Sequence, residues 1–118
     1  MARLIRLANL VLLLTLGSTA FAQNAQIAGT VRDETGGALP GVTVIAKNKE
    51  NGLARTALTD GTGAYRLGAL PPGPYAVTTS LTGFRGEARE ILLVIDQTAV
   101  IPFVMHPASM TENVDVVA

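Results

Sequence analysis

The 118-residue sequence has no cysteine, no tryptophan, one histidine, and aromatic residues at only 4% of its positions. Without cysteine there is no disulfide framework, no thiolate metal cluster and no cysteine for lipid attachment, so any domain here must rest on its apolar core. The lone histidine, His106, stands beside Pro107 after the last apolar run. A catalytic triad needs a nucleophile, a base and an orienting acid, and one histidine in that position reads as a solvated surface residue. Nor is there an excess of positive charge, with nine Lys+Arg against nine Asp+Glu. That balance gives no basic face for nucleic acid or an anionic membrane surface.

What is present begins with a leader. Arg3 and Arg6 precede the uncharged run LANLVLLLTL, which gives way to Ala20-Phe21-Ala22. A basic start, a short apolar middle and an A-x-A ending make residues 1–22 a secretory signal peptide. The run falls short of the ~20 apolar residues that a spanning helix needs. Cleavage after Ala22 starts the mature chain at Gln23 and leaves seven basic residues against nine acidic, a net charge of about −2.

Residues 23–107 read as β throughout. The runs IAGTVRD (27–33), GVTVIAK (41–47), ARTALTD (54–60), AYRL (64–67) and YAVTTSLT (75–82) alternate apolar and polar positions, the pattern of half-buried strands. Between them lie ETGGALPG, NKENG, DGTG and LPPGP, all turn-formers. In GEAREILLVI the β-branched residues favour a strand over a helix, and the continuous run 91–95 suggests a central strand covered on both faces. A last strand is expected over 99–105, at an edge or bulged, because Pro102 cannot donate to a ladder. About seven strands with turns at short spacing predict an all-β antiparallel sandwich.

The glycine-rich DGTGAYR lacks the Lys-Ser/Thr of a phosphate loop, and Asp60 lacks the acidic ladder and closing glutamate of a calcium loop. A turn accounts for both, and no cofactor or metal ligand set is expected. Carbohydrate binding is the alternative function: small sandwiches hold sugars on exposed aromatics, and Tyr65, Tyr75, Phe84 and Phe103 are the mature chain's supply. Their positions on apolar faces or at strand ends favour core packing.

The order of these pieces resembles the carboxypeptidase regulatory-like domain. That family's succession of G-x-V-x-D, L-P-G-V-x-V, T-D-x-x-G-x-Y, L-P-x-G-x-Y and G-F is met by Gly29, Val31, Asp33, Leu39, Pro40, Gly41, Val42, Val44, Thr59, Asp60, Gly63, Tyr65, Leu70, Pro71, Gly73, Tyr75, Gly83 and Phe84. The resemblance covers residues 26–106 and implies a seven-stranded, transthyretin-like (prealbumin-like) β-sandwich without catalytic groups, its matched residues serving as scaffold. Glycine at 63 lets the chain reverse before Tyr65 enters the core, and prolines at 71 and 72 stiffen the approach to Gly73.

In TonB-dependent outer-membrane receptors such a domain follows the signal peptide and precedes a TonB box, a plug and a β-barrel. Residues 108–118 resemble a tail carrying that box, with Thr111, Glu112, Val114, Val116 and Val117 as the partner-binding positions. The resemblance implies a periplasmic location, a TonB-type energy-coupling protein as partner through β-augmentation, and a plug or barrel as a further partner. An oligosaccharide is the partner under the alternative function, and nucleic acid is excluded.

Overall fold

The computed structural model describes residues 24–108. The expected signal peptide, 1–22, and the tail positions from Thr111 to Val117 lie outside the described residues. The described chain forms β1 (Ala25–Asp33), β2 (Thr43–Asn48), β3 (Ala54–Leu58), β4 (Ala64–Leu70), β5 (Gly73–Ser80), β6 (Ala88–Leu93), β7 (Thr98–Val100) and β8 (Phe103–Met105). They make two four-stranded sheets packed as a sandwich, the all-β architecture expected.

The first sheet runs β4-β1-β7, with β8 also on β1. β4 lies antiparallel to β1, whereas β7 and β8 follow one another along its other side in parallel, at 26–28 and 31–33. This sheet is therefore mixed, since the chain must cross from the second sheet to regain β1. The expected strand over 99–105 is a single run broken at Ile101-Pro102. Proline supplies no ladder N–H and the run lies at a sheet edge. Counted as one run, it brings the total to seven.

The second sheet, β3-β2-β5-β6, is antiparallel throughout. Here one expectation is overturned. The apolar run 91–95 is not a central strand: β6 begins at Ala88, ends at Leu93 and forms an edge. Leu93 points into the core at 1% exposure, while Leu92, Val94 and Ile95 are 65%, 56% and 51% exposed. A two-layer sandwich covers one face of each sheet only, so continuity of apolar residues did not imply two-sided burial.

Between the sheets lie Ile27 and Val31 from β1, Val44 and Ala46 from β2, Leu67 and Leu70 from β4, Tyr75 and Val77 from β5, and Phe103 and Met105 from β8. Most come from the inward half of an alternating strand, as in β5, where residues 75, 77 and 79 are buried and 78 and 80 exposed. Leu67 and Leu70, three apart, both face inward because the β1–β4 register shifts beside them. On the β6–β8 side the sheets are tied by Arg89, whose guanidinium carbon lies 5.7 Å from the Phe103 ring centroid.

Candidate functional site

The pole where β1 and β3 end is organised by two matching turns. In Asp33-Glu34-Thr35-Gly36-Gly37 the Asp33 Oδ1 accepts hydrogen bonds from the Thr35 N–H, the Thr35 hydroxyl and the Gly37 N–H. In Asp60-Gly61-Thr62-Gly63-Ala64 the Asp60 Oδ1 accepts from the Thr62 N–H, the Thr62 hydroxyl and the Ala64 N–H. The shared D-x-T-G spelling is the signal, since a carboxylate can gather three local donors only where small residues let the backbone curl around it. These bonds, led by the threonine hydroxyl in each case, hold both carboxyls below their ordinary pKa. Glu34 and His106 meet nearby, with Oε2 to Nδ1 at 3.0 Å.

The aromatic residues are structural. Tyr65 sits opposite Gly29 in the β1–β4 register and donates its hydroxyl to the Ile101 carbonyl at 2.6 Å. A Cβ built on Gly29 would stand 2.1 Å from that same oxygen, so only glycine leaves room for the carbonyl. Burial pushes the Tyr65 phenol up to about 12, against an opposing pull from Arg89. Tyr75, fully buried, donates its hydroxyl to the Pro71 carbonyl four residues upstream at 2.6 Å, closing the turn between β4 and β5. Phe103 is buried, and Phe84 packs partly buried against the core. With Tyr65 5% and Tyr75 0% exposed, neither offers a ring face to a sugar.

The remaining pattern positions fall at turns. Gly63 takes φ +77°, and a Cβ there would lie 2.5 Å from the Val31 carbonyl oxygen. Pro40 is exposed and leads into Gly41, whose N–H donates to the Thr59 carbonyl. Gly73 opens β5 beside the Asn48 side chain, and Gly83, at the far pole from Gly73, accepts the N–H of Ala108 at 2.9 Å. Sequence reasoning missed Asn48 and took Thr59 only as a position of the matched pattern, without its hydrogen bonds. Asn48 Oδ1 accepts the N–H groups of Glu50 and Asn51, and Thr59 Oγ1 accepts the Val42 N–H while donating to the Leu39 carbonyl. Asn48 could have been found from NKENG, where an asparagine two residues before a turn is positioned to cap it.

An open cleft of about 410 Å³ lies at the opposite pole, lined by Asn24, Gln26, Ala69, Asp96, Gln97 and Thr98 among others, without an aromatic. Among the described residues no group of three or more His, Cys, Asp or Glu side chains could hold a metal ion. No described helix is long and apolar enough to cross a membrane.

What the structure does display is unpaired sheet edge. In β3 the residues facing β2 follow from the Asn48 N–H to Leu53 carbonyl and Thr59 N–H to Val42 carbonyl bonds: with the observed register, Arg55 and Ala57 face β2. Ala54, Thr56 and Leu58 therefore turn their N–H and C=O groups outward. In β6 the Lys49 N–H to Pro74 carbonyl bond and the Thr79–Glu87 pair fix the same alternation, leaving Ala88, Glu90 and Leu92 outward. The β6 edge is closed at its end by Gln97, whose side-chain oxygen accepts the Val94 N–H.

Comparison with known proteins agrees with this architecture. The carboxypeptidase regulatory-like domain family matches residues 26–106. The TonB-dependent transporter Oar of Myxococcus xanthus is 34% identical over 103 residues, 86% of this chain but 10% of that protein, so the chain spans about a tenth of that relative's length. The solved structure of the Bacillus anthracis TIE protein superposes with a TM-score of 0.62 at 20% identity, over 73% of this chain and 17% of that one. Chlorocatechol 1,2-dioxygenase from Pseudomonas putida gives 0.58 at 14%, over 75% and 62%. At these identities the two structures share the fold alone.

Proposed function

The chain belongs to the carboxypeptidase regulatory-like domain family, and from that premise we propose that it is a non-enzymatic N-terminal accessory module of a TonB-dependent receptor system. In this reading residues 1–22 direct export and the sandwich stands on the periplasmic side of the outer membrane. The tail positions Thr111, Glu112, Val114, Val116 and Val117 then add as a strand to an exposed sheet edge of the energy-coupling protein TonB. The observation that carries the reading is the 34% identity to the TonB-dependent transporter. That match runs over 103 residues, longer than the stretch 26–106 that the domain occupies, so the likeness continues into the flanking sequence.

The sandwich supports a role through protein contacts. Its matched residues are taken up by turns, glycine close approaches and core tyrosines, and its tyrosine hydroxyls are committed to backbone carbonyls. Ala108 is anchored to Gly83 at one pole, whereas Asn24 enters at the other.

Titration of a peptide covering 109–118 with the C-terminal domain of TonB tests the tail's role. Saturable binding that Val114→Pro and Val116→Pro abolish is the expected result, because proline deletes ladder donors. No binding, or binding indifferent to proline, removes TonB as the partner. Saturable binding of an oligosaccharide by the folded chain would replace the reading with the carbohydrate-binding one.

A further inference from the structure

We propose that the outward edge of β3 is the resting dock of this chain's own segment 114–117, which adds there as an antiparallel strand before any other protein takes it. The proposal is independent of what that other protein is.

Three observations converge on β3. Its five residues Ala54–Leu58 carry no proline and no acidic group, four of them are exposed, and no described strand lies beyond it in its sheet. Among them Leu58 is 64% exposed, an apolar side chain at the end of an unpaired ladder. The one charge on the strand is Arg55, whereas the tail carries Glu112 and Asp115.

Direction and reach agree. Leu58 lies opposite Thr43, and Thr43 opposite Ser80, so β3 ends at the same pole as the β5–β6 loop to which Ala108 is bonded. A chain descending from that pole runs antiparallel to β3. Ala108 bonds the β5–β6 loop on the β6–β8 side, so a strand added outside β3 lies three to four interstrand spacings away, ~14–19 Å. The six steps from Ala108 to Val114 span up to ~20 Å when extended, which brings Val114 beside Leu58. In that register Val116 faces Thr56, and Asp115 lies diagonal to Arg55, within reach of its long side chain.

The other edges are poorer hosts. Along β6 the same descending segment would run parallel, past Glu87 and Glu90, and meet the Gln97 closure at Val94. The β7–β8 edge is interrupted at Pro102.

Amide hydrogen exchange on the full mature chain tests the proposal. The N–H groups of Thr56 and Leu58, opposite Val116 and Val114, are expected to exchange at least tenfold more slowly than unpaired amides. Val114→Pro with Val116→Pro is expected to abolish that difference while Arg55 and Ala57, bonded to β2, stay unchanged. These substitutions lie outside the sandwich core, so the fold serves as its own control. Unprotected outward amides in the unsubstituted chain overturn the proposal, as does protection that the two prolines leave in place. Protection that grows with protein concentration also overturns it, by assigning the edge to the tail of a second copy.

Discussion

The hydroxyl of Tyr65 donates to the carbonyl of Ile101 at 2.6 Å, across the point where the edge run of the first sheet breaks before Pro102. Tyr65 reaches it over Gly29, the residue directly opposite on β1, and the Ile101 N–H in turn bonds the Ala28 carbonyl. One side chain thus satisfies an acceptor at the discontinuity between β7 and β8.

Tyr65→Phe keeps the ring and removes the donor. Leaving a buried carbonyl unpaired costs ~1–3 kcal/mol, measurable by urea unfolding at neutral pH. The raised phenol also sets a pH window. The folded state holds the Tyr65 proton up to about 12, above the ordinary value of 10.0, so its contribution is complete below pH 10.0 and is lost as pH rises toward 12. Tyr65→Phe is expected to flatten the stability curve in that interval, and an unchanged alkaline slope would contradict the assignment.

Gly29→Ala places a methyl group 2.1 Å from the Ile101 carbonyl oxygen, a backbone atom that cannot step aside as a side-chain tip could. Overpacking of this kind costs roughly 1–3 kcal/mol. Thermal unfolding should show a lowered midpoint, with the Tyr65 hydrogen bond weakened as a secondary effect.

Asp33 and Asp60 titrate below the ordinary carboxylate range because Thr35 and Gly37, and Thr62 and Ala64, donate to their charged forms. Their contribution is therefore present above the unfolded-state pKa of ~3.9 and lost as pH falls through the depressed folded values. The double change Asp33→Asn with Asp60→Asn is expected to lower the melting midpoint at pH 7 and to shrink its fall on acidification below pH ~4. Equal acid sensitivity in the variant and the parent would count against the two turns.

Leu92 and Leu93 are neighbours in sequence with opposite environments. Leu93→Ala empties a core site and is expected to cost ~2–5 kcal/mol, whereas Leu92→Ser should stay within ~0.5 kcal/mol. Comparable losses at the two positions would restore the two-sided strand that the structure replaces with an edge.

How far the fold was legible follows the same residues. Val42 and Val44, and Tyr75 and Val77, alternate with polar neighbours, so their faces could be assigned from period alone. Residues 91–95 have no such alternation, and nothing local says how many layers cover them. The paired D-x-T-G turns were visible as turns, but their equivalence was missed because each was read singly. Thr59 was legible only as a position of the family pattern, and its bonds to Leu39 and Val42 needed the fold to bring those segments beside it.

By itself the sequence determined a cysteine-free β-sandwich of a recognisable family, because strand period and turn chemistry are encoded within short windows. Tertiary structure alone decided that β7 and β8 join β1 in parallel, that β6 lies at an edge, and that β3 keeps an open one. Strand partners are chosen by packing between segments far apart in the chain, and local pattern carries no record of which strand lies beside which.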